Sequence, residues 1–110
     1  MTFRQAQDRR ANPVRGEAEL VVGGARLLLR PTFERLVAAE GELGPLFALV
    51  ERAAEGRLTL GETAGLLWHC LDAPDGLTRE RVGDTIVELG LARTAPVVKA
   101  VLAQILAGRV

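Results

Sequence analysis

Gly23-Gly24 constrains this chain more than any other pair of residues. It sits between two short apolar-rich runs, 17–22 and 25–30. A two-residue Gly-Gly link between such runs suits a type I′ or II′ hairpin turn, because glycine takes positive φ without steric cost. Closing a hairpin there pairs Val22 with Ala25, Leu20 with Leu27 and Ala18 with Leu29. Side chains alternate across a strand, so these six share one face. The other face pairs Glu17 with Arg30 and Val21 with Arg26, and is mostly polar. A lone hairpin is marginal in water, so its apolar face requires a cover. Everything after Pro31 reads as helix, and the helices are the expected cover.

Pro31-Thr32 ends the second strand and opens a first helix, since proline cannot donate to a ladder but is tolerated at a helix start. Phe33, Leu36 and Val37 fall on its 3.6-residue period, and Gly41 or Gly44-Pro45 ends it. A second helix spans about 45–55, burying Leu46, Leu49, Val50 and Ala53 with Phe47 at the edge. Thr59 and Glu62 form a capping box for a third, about 60–72, with Leu60, Ala64, Leu67, Trp68 and Leu71 on one side. Thr78 caps a fourth, 79–89, with Val82, Ile86 and Leu89 inward. Thr94 is read as the cap of a fifth, 95–107, with Pro96 in its first turn. The expected architecture is α+β and mainly α: an N-terminal hairpin on four to five short helices. Its core should include Leu20, Leu27, Leu29, Phe33, Leu36, Leu49, Leu67, Ile86 and Val101.

At 110 residues the chain can hold one core, and only 4% of its residues are aromatic, so Leu, Val and Ala must fill it. Few rings also means few platforms for stacking on bases. The zero net charge is unevenly placed: residues 1–15 carry +3 and the remainder −3. Residues 1–14 read as a disordered basic arm ahead of a single domain over 15–110. No basic stripe marks the body, and the acidic 79–89 helix would repel phosphates, so no nucleic-acid partner is expected. No apolar run approaches the roughly 20 residues of a membrane span, and no signal peptide is visible. A cytoplasmic protein without a membrane partner is expected.

The search for chemistry returns little. His69 and Cys70 are adjacent, so on a helix they point about 100° apart and cannot form a nucleophile–base pair. The single cysteine excludes an internal disulfide, and one His with one Cys cannot complete a zinc site. Asp72, Asp75 and Asp84 lack EF-hand spacing. Gly23-Gly24 lies between strands and is not a phosphate loop. The expectation is a non-enzymatic binding protein with no metal and no cofactor.

The order of features carries a resemblance. Ala11-Asn12-Pro13 precedes Arg15-Gly16-Glu17-Ala18-Glu19-Leu20, and the hairpin ends in Leu27-Leu28-Leu29-Arg30. A helix over 33–40 follows, then Leu46 to Val50, then Glu55-Gly56-Arg57-Leu58-Thr59. Over about 11–108 this resembles the gene transfer agent and prophage tail assembly chaperone family, also described as tail tube proteins. The resemblance implies a protein made in the bacterial producer cell that binds the tape measure protein and assists assembly of tail tube subunits. The alternative it implies is a structural tube or connector subunit retained in the particle. Partners would be the tape measure protein, tube subunits and a possible second copy of the chain.

The last helix carries six large aliphatics between Val97 and Leu106, more than one packed stripe requires, with Lys99 and Gln104 on the remaining face. A partner-binding surface is therefore expected at Val98, Val101, Leu102, Ile105 and Leu106, with Trp68 of the third helix as a further candidate. An amphipathic helix laid in a groove is the binding mode this composition fits.

Overall fold

The computed structural model describes residues 18–108. The basic arm and the Glu17–Arg30 pair expected from the sequence lie outside the described residues. Two strands, β1 (Ala18–Val22) and β2 (Ala25–Leu29), precede five helices: α1 (Phe33–Leu43), α2 (Leu46–Ala54), α3 (Leu60–Cys70), α4 (Arg79–Leu89) and α5 (Leu91–Ala107). The fold is α+β and mainly helical.

The hairpin has the register that the Gly-Gly turn demands, Val22 opposite Ala25 and Leu20 opposite Leu27 through to Ala18 opposite Leu29. Gly23 and Gly24 both have positive φ, 57° and 84°, which selects the type I′ turn. Leu20, Val22 and Leu29 are buried, while Leu27 is half-buried. On the opposite face Arg26 Nε approaches Glu19 Oε1 at 4.0 Å.

The sheet is fastened from far along the chain. Leu71 bridges Leu29, with Arg30 N–H donating to the Cys70 carbonyl at 2.7 Å and Asp72 N–H to the Leu28 carbonyl at 2.8 Å. This shortens the third helix relative to the expected 60–72: Leu71 leaves helical geometry, with ψ at 134°, in order to pair. Arg35 locks the junction. Its Nη1 donates to the carbonyls of Cys70 (3.2 Å) and Arg30 (3.3 Å), and its Nη2 to Asp72 Oδ1 (3.4 Å).

α3 is the central helix. Thr63, Gly65, Leu66, Leu67 and Cys70 are all buried, so it is covered on more than one side. α1 and α4 pack on it, while α4 and α5 pack on β1. Its expected inward residue Leu60, in the first turn, is 48% exposed, whereas Leu66 is fully buried. Its start is the capping box read from the sequence: Thr59 Oγ1 accepts from Glu62 N–H, and Glu62 Oε1 accepts from Thr59 N–H, both at 3.0 Å. Thr59→Ala is expected to cost about 1 kcal/mol in a denaturant melt. Thr32 and Thr78 cap α1 and α4 in the same way.

Three expectations are corrected. Phe33 is not core but 84% exposed. α1 turns Leu36, Ala39 and Leu43 inward, and a residue at position 33 then lies about a quarter turn away from that face. Gly41 does not stop α1, which runs on to Leu43 and is capped by Gly44. Nor does Thr94 cap the last helix. α5 begins at Leu91, Gly90 at φ +91° is the hinge between α4 and α5, and the buried Thr94 hydroxyl donates to the Gly90 carbonyl at 2.9 Å. Pro96 therefore sits inside α5 and forfeits one backbone hydrogen bond.

Candidate functional site

The polar side chains of the body are spent mainly on holding helices together. Glu42, near the end of α1, receives Arg79 of α4 through both oxygens; the Nη1–Oε1 distance is 2.7 Å. His69 of α3 reaches the same carboxylate, Nε2 to Oε1, at 2.8 Å. Gly65 lies beneath this cluster, where an added Cβ would come within 3.1 Å of Leu43 and 3.3 Å of the Glu42 carboxylate. Arg52 of α2 pairs with Glu62 of α3. Hydrogen bonding from the Thr59 backbone, more than the Arg52 charge, lowers the Glu62 carboxyl from its ordinary value.

His69 and Cys70 part company. His69 turns to Glu42, whereas Cys70 is fully buried, and burial pushes its thiol up to about 11. A thiol so protonated at neutral pH is a poor nucleophile. Among the described residues no group of three or more His, Cys, Asp or Glu side chains is placed to hold a metal ion. No helix of the described residues is long and apolar enough to cross a membrane.

What remains as a candidate site is apolar. A groove of about 170 Å³ runs between α5 and the turn that links α2 to α3. Leu91 and Ala95 of α5 form one wall above Val98 and Leu102, and Ala53 and Leu58 also line it. Two threonines also line it, yet their hydroxyls are committed to helical carbonyls, Thr63 to Thr59 at 3.0 Å and Thr94 to Gly90. They therefore leave mainly methyl surface for a ligand. Lys99 supplies the charge on the rim.

The structure divides the six residues expected to bind a partner. Val98 and Leu102 line the groove but only as its floor, at 6% and 5% exposed. Val101 faces the core. Ile105 and Trp68 are half-buried and packed against that core. Leu106 is 57% exposed and lies on the same side of α5 as Leu91, Ala95 and Leu102, since these positions recur at helical spacing. Leu91, at 62% exposed, was missed by sequence reasoning, which began this helix at 95; an earlier start would have shown it.

The family model described as "Phage tail tube protein, GTA-gp10" matches residues 15–108. The chain belongs to this family. The match spans every described element from the hairpin to the end of α5. It agrees with the resemblance carried by the gene transfer agent and phage tail features, and as a description it names the tube rather than a chaperone. No curated protein and no solved structure gives a significant match.

For this phage tail family member the Glu42 cluster gives a direct test of what ties α1 to α3 and α4. Hydrogen bonds from Arg79 first, then His69, hold the Glu42 carboxyl down at about 2, from an ordinary value of 4.5. A carboxyl depressed by folding stabilises the folded state above its unfolded pKa and loses that contribution as pH falls through the folded one. Stability should therefore decline between about pH 4.5 and 2. Glu42→Gln should flatten that part of a stability–pH curve measured by urea titration. An unchanged slope would show that the cluster contributes nothing.

Proposed function

We propose that this chain works by binding other tail proteins, as a tube or connector subunit of a phage-type tail that stays with the finished particle. The match of a tail tube family model over nearly the whole chain carries this reading. The surface chemistry supports it, since the groove beside α5 offers apolar contact with a charged rim.

A second reading is favoured by one observation. The described residues contain a single two-stranded sheet, whereas a tube wall built from strands needs each subunit to supply several. A tail assembly chaperone has no such need. It would bind the helical tape measure protein in the cytoplasm of the producing cell, with an amphipathic helix in the apolar groove.

Particle composition separates the two. Purified particles analysed by quantitative mass spectrometry should contain the chain in many copies if it is a tube subunit. A chain absent from particles, but recovered with the tape measure protein on co-expression and pull-down, is a chaperone.

A further inference from the structure

Three carboxylates line the outer face of α4. Glu80, Asp84 and Glu88 recur at i, i+4 and i+8, so they stack along one side of the helix, and all three are exposed. Val87, 64% exposed, lies among them. Like charges at this spacing repel. Glu88 adds a second cost, since it sits in the last turn, where the helix dipole is negative and α4 has no basic residue. No ion pair among the described residues relieves the three. The arginines of α4 itself are engaged elsewhere. Arg79 holds Glu42, and the Arg81 guanidinium lies against the hairpin turn, 3.1 Å from where a Cβ on Gly23 would stand. Acids on the other helices are mostly partnered: Glu40 accepts from the Leu46 N–H at 3.1 Å, and Glu62 pairs with Arg52.

We propose that the chain's own basic N-terminal segment, residues 1–15, docks on this face of α4, with Arg9 and Arg10 set among Glu80, Asp84 and Glu88 and over Val87. The segment carries +3, opposite in sign to the face it would meet. The same charge turns it away from the α5 groove, where Lys99 stands on the rim. Its root is close by, because β1 packs on α4. The residues from Arg10 to Ala18 reach up to about 28 Å when extended, against about 12 Å from Glu80 to Glu88. Ion pairs on an open surface are individually weak, but so short a tether raises the effective concentration to roughly millimolar, so the contact forms within one molecule. While docked, the segment covers Val87 and withholds its arginines from any anionic partner. This goes beyond the functional reading above, which stands or falls on particle composition, whereas docking is a property of the purified chain.

A nitroxide spin label on Gln7→Cys of the full chain tests this by NMR; the native Cys70 is fully buried and does not compete for the label. At low salt, amides over 80–88 should be broadened more than those of α1 or α3. The effect should vanish at about 1 M salt, where the Debye length is about 3 Å. It should vanish equally when Glu80→Gln, Asp84→Asn and Glu88→Gln are combined, a set of exposed positions that leaves the core intact. Should that combination lose helical circular dichroism, Arg9→Gln with Arg10→Gln removes the same contact from the other side. The proposal is overturned if α4 is not broadened preferentially, or if the broadening survives salt or the neutralised residues. It is also overturned if an isotope-labelled chain is broadened as strongly by a spin label carried only on separate molecules, which would make the contact intermolecular.

Discussion

Leu29→Ala should lower the unfolding free energy by about 2–5 kcal/mol, the cost of emptying a fully buried leucine site. Leu29 is fully buried at the point where β2 meets Leu71, and it pairs across the hairpin with Ala18. Its neighbour on the same face, Leu27, is only half-buried, so Leu27→Ala should cost about 1 kcal/mol. Urea titrations with a common slope read both values directly. Equal losses at the two sites would mean that the hairpin face is covered uniformly, and that the bridge to residue 71 does not set where the core is tightest.

The second large effect lies on α5. Leu102→Glu places a carboxylate at a site that is 5% exposed and packed among core aliphatics. Desolvating that charge should cost several kcal/mol, enough to unfold a domain of ordinary stability. Leu106→Glu, four residues on, is 57% exposed and should change stability by no more than about 0.5 kcal/mol. Thermal melts followed by circular dichroism should therefore show one variant collapsing and the other melting near the parent. If both melt near the parent, α5 is able to lift from the body.

Much of this fold could be read in advance where the signal is local. Gly23-Gly24 sets a turn and hence a register, and Thr32, Thr59 and Thr78 announce helix starts because each offers an oxygen to an N–H with no helical partner. Helix phase was harder. Two phases of α1 place apolar residues on one side, and the choice between Phe33 with Val37 and Leu36 with Ala39 depends on the shape of α3 rather than on α1. A small residue at position 39 permits close approach, and no propensity registers that. Thr94 misled for a related reason: a threonine hydroxyl can bond a carbonyl inside a helix as readily as it caps one. The apolar groove beside α5 was foreshadowed by an excess of aliphatics on the last helix. Which of them are floor and which are free was fixed by α4, folded back from Gly90, and by β1, which is distant in sequence.

The bridge between Leu29 and Leu71 has a consequence for the order of events in folding. The hairpin can close within microseconds on local contacts alone. The other edge of β2, however, finds its partner only when the end of α3 arrives, after a long loop has been closed. Until then the backbone amide of Arg30 has no carbonyl from Cys70 to protect it, and that of Asp72 none from Leu28. In native-state hydrogen exchange these two amides should open together with α3 in one cooperative unit, while amides at the Gly23-Gly24 end of the same hairpin exchange sooner.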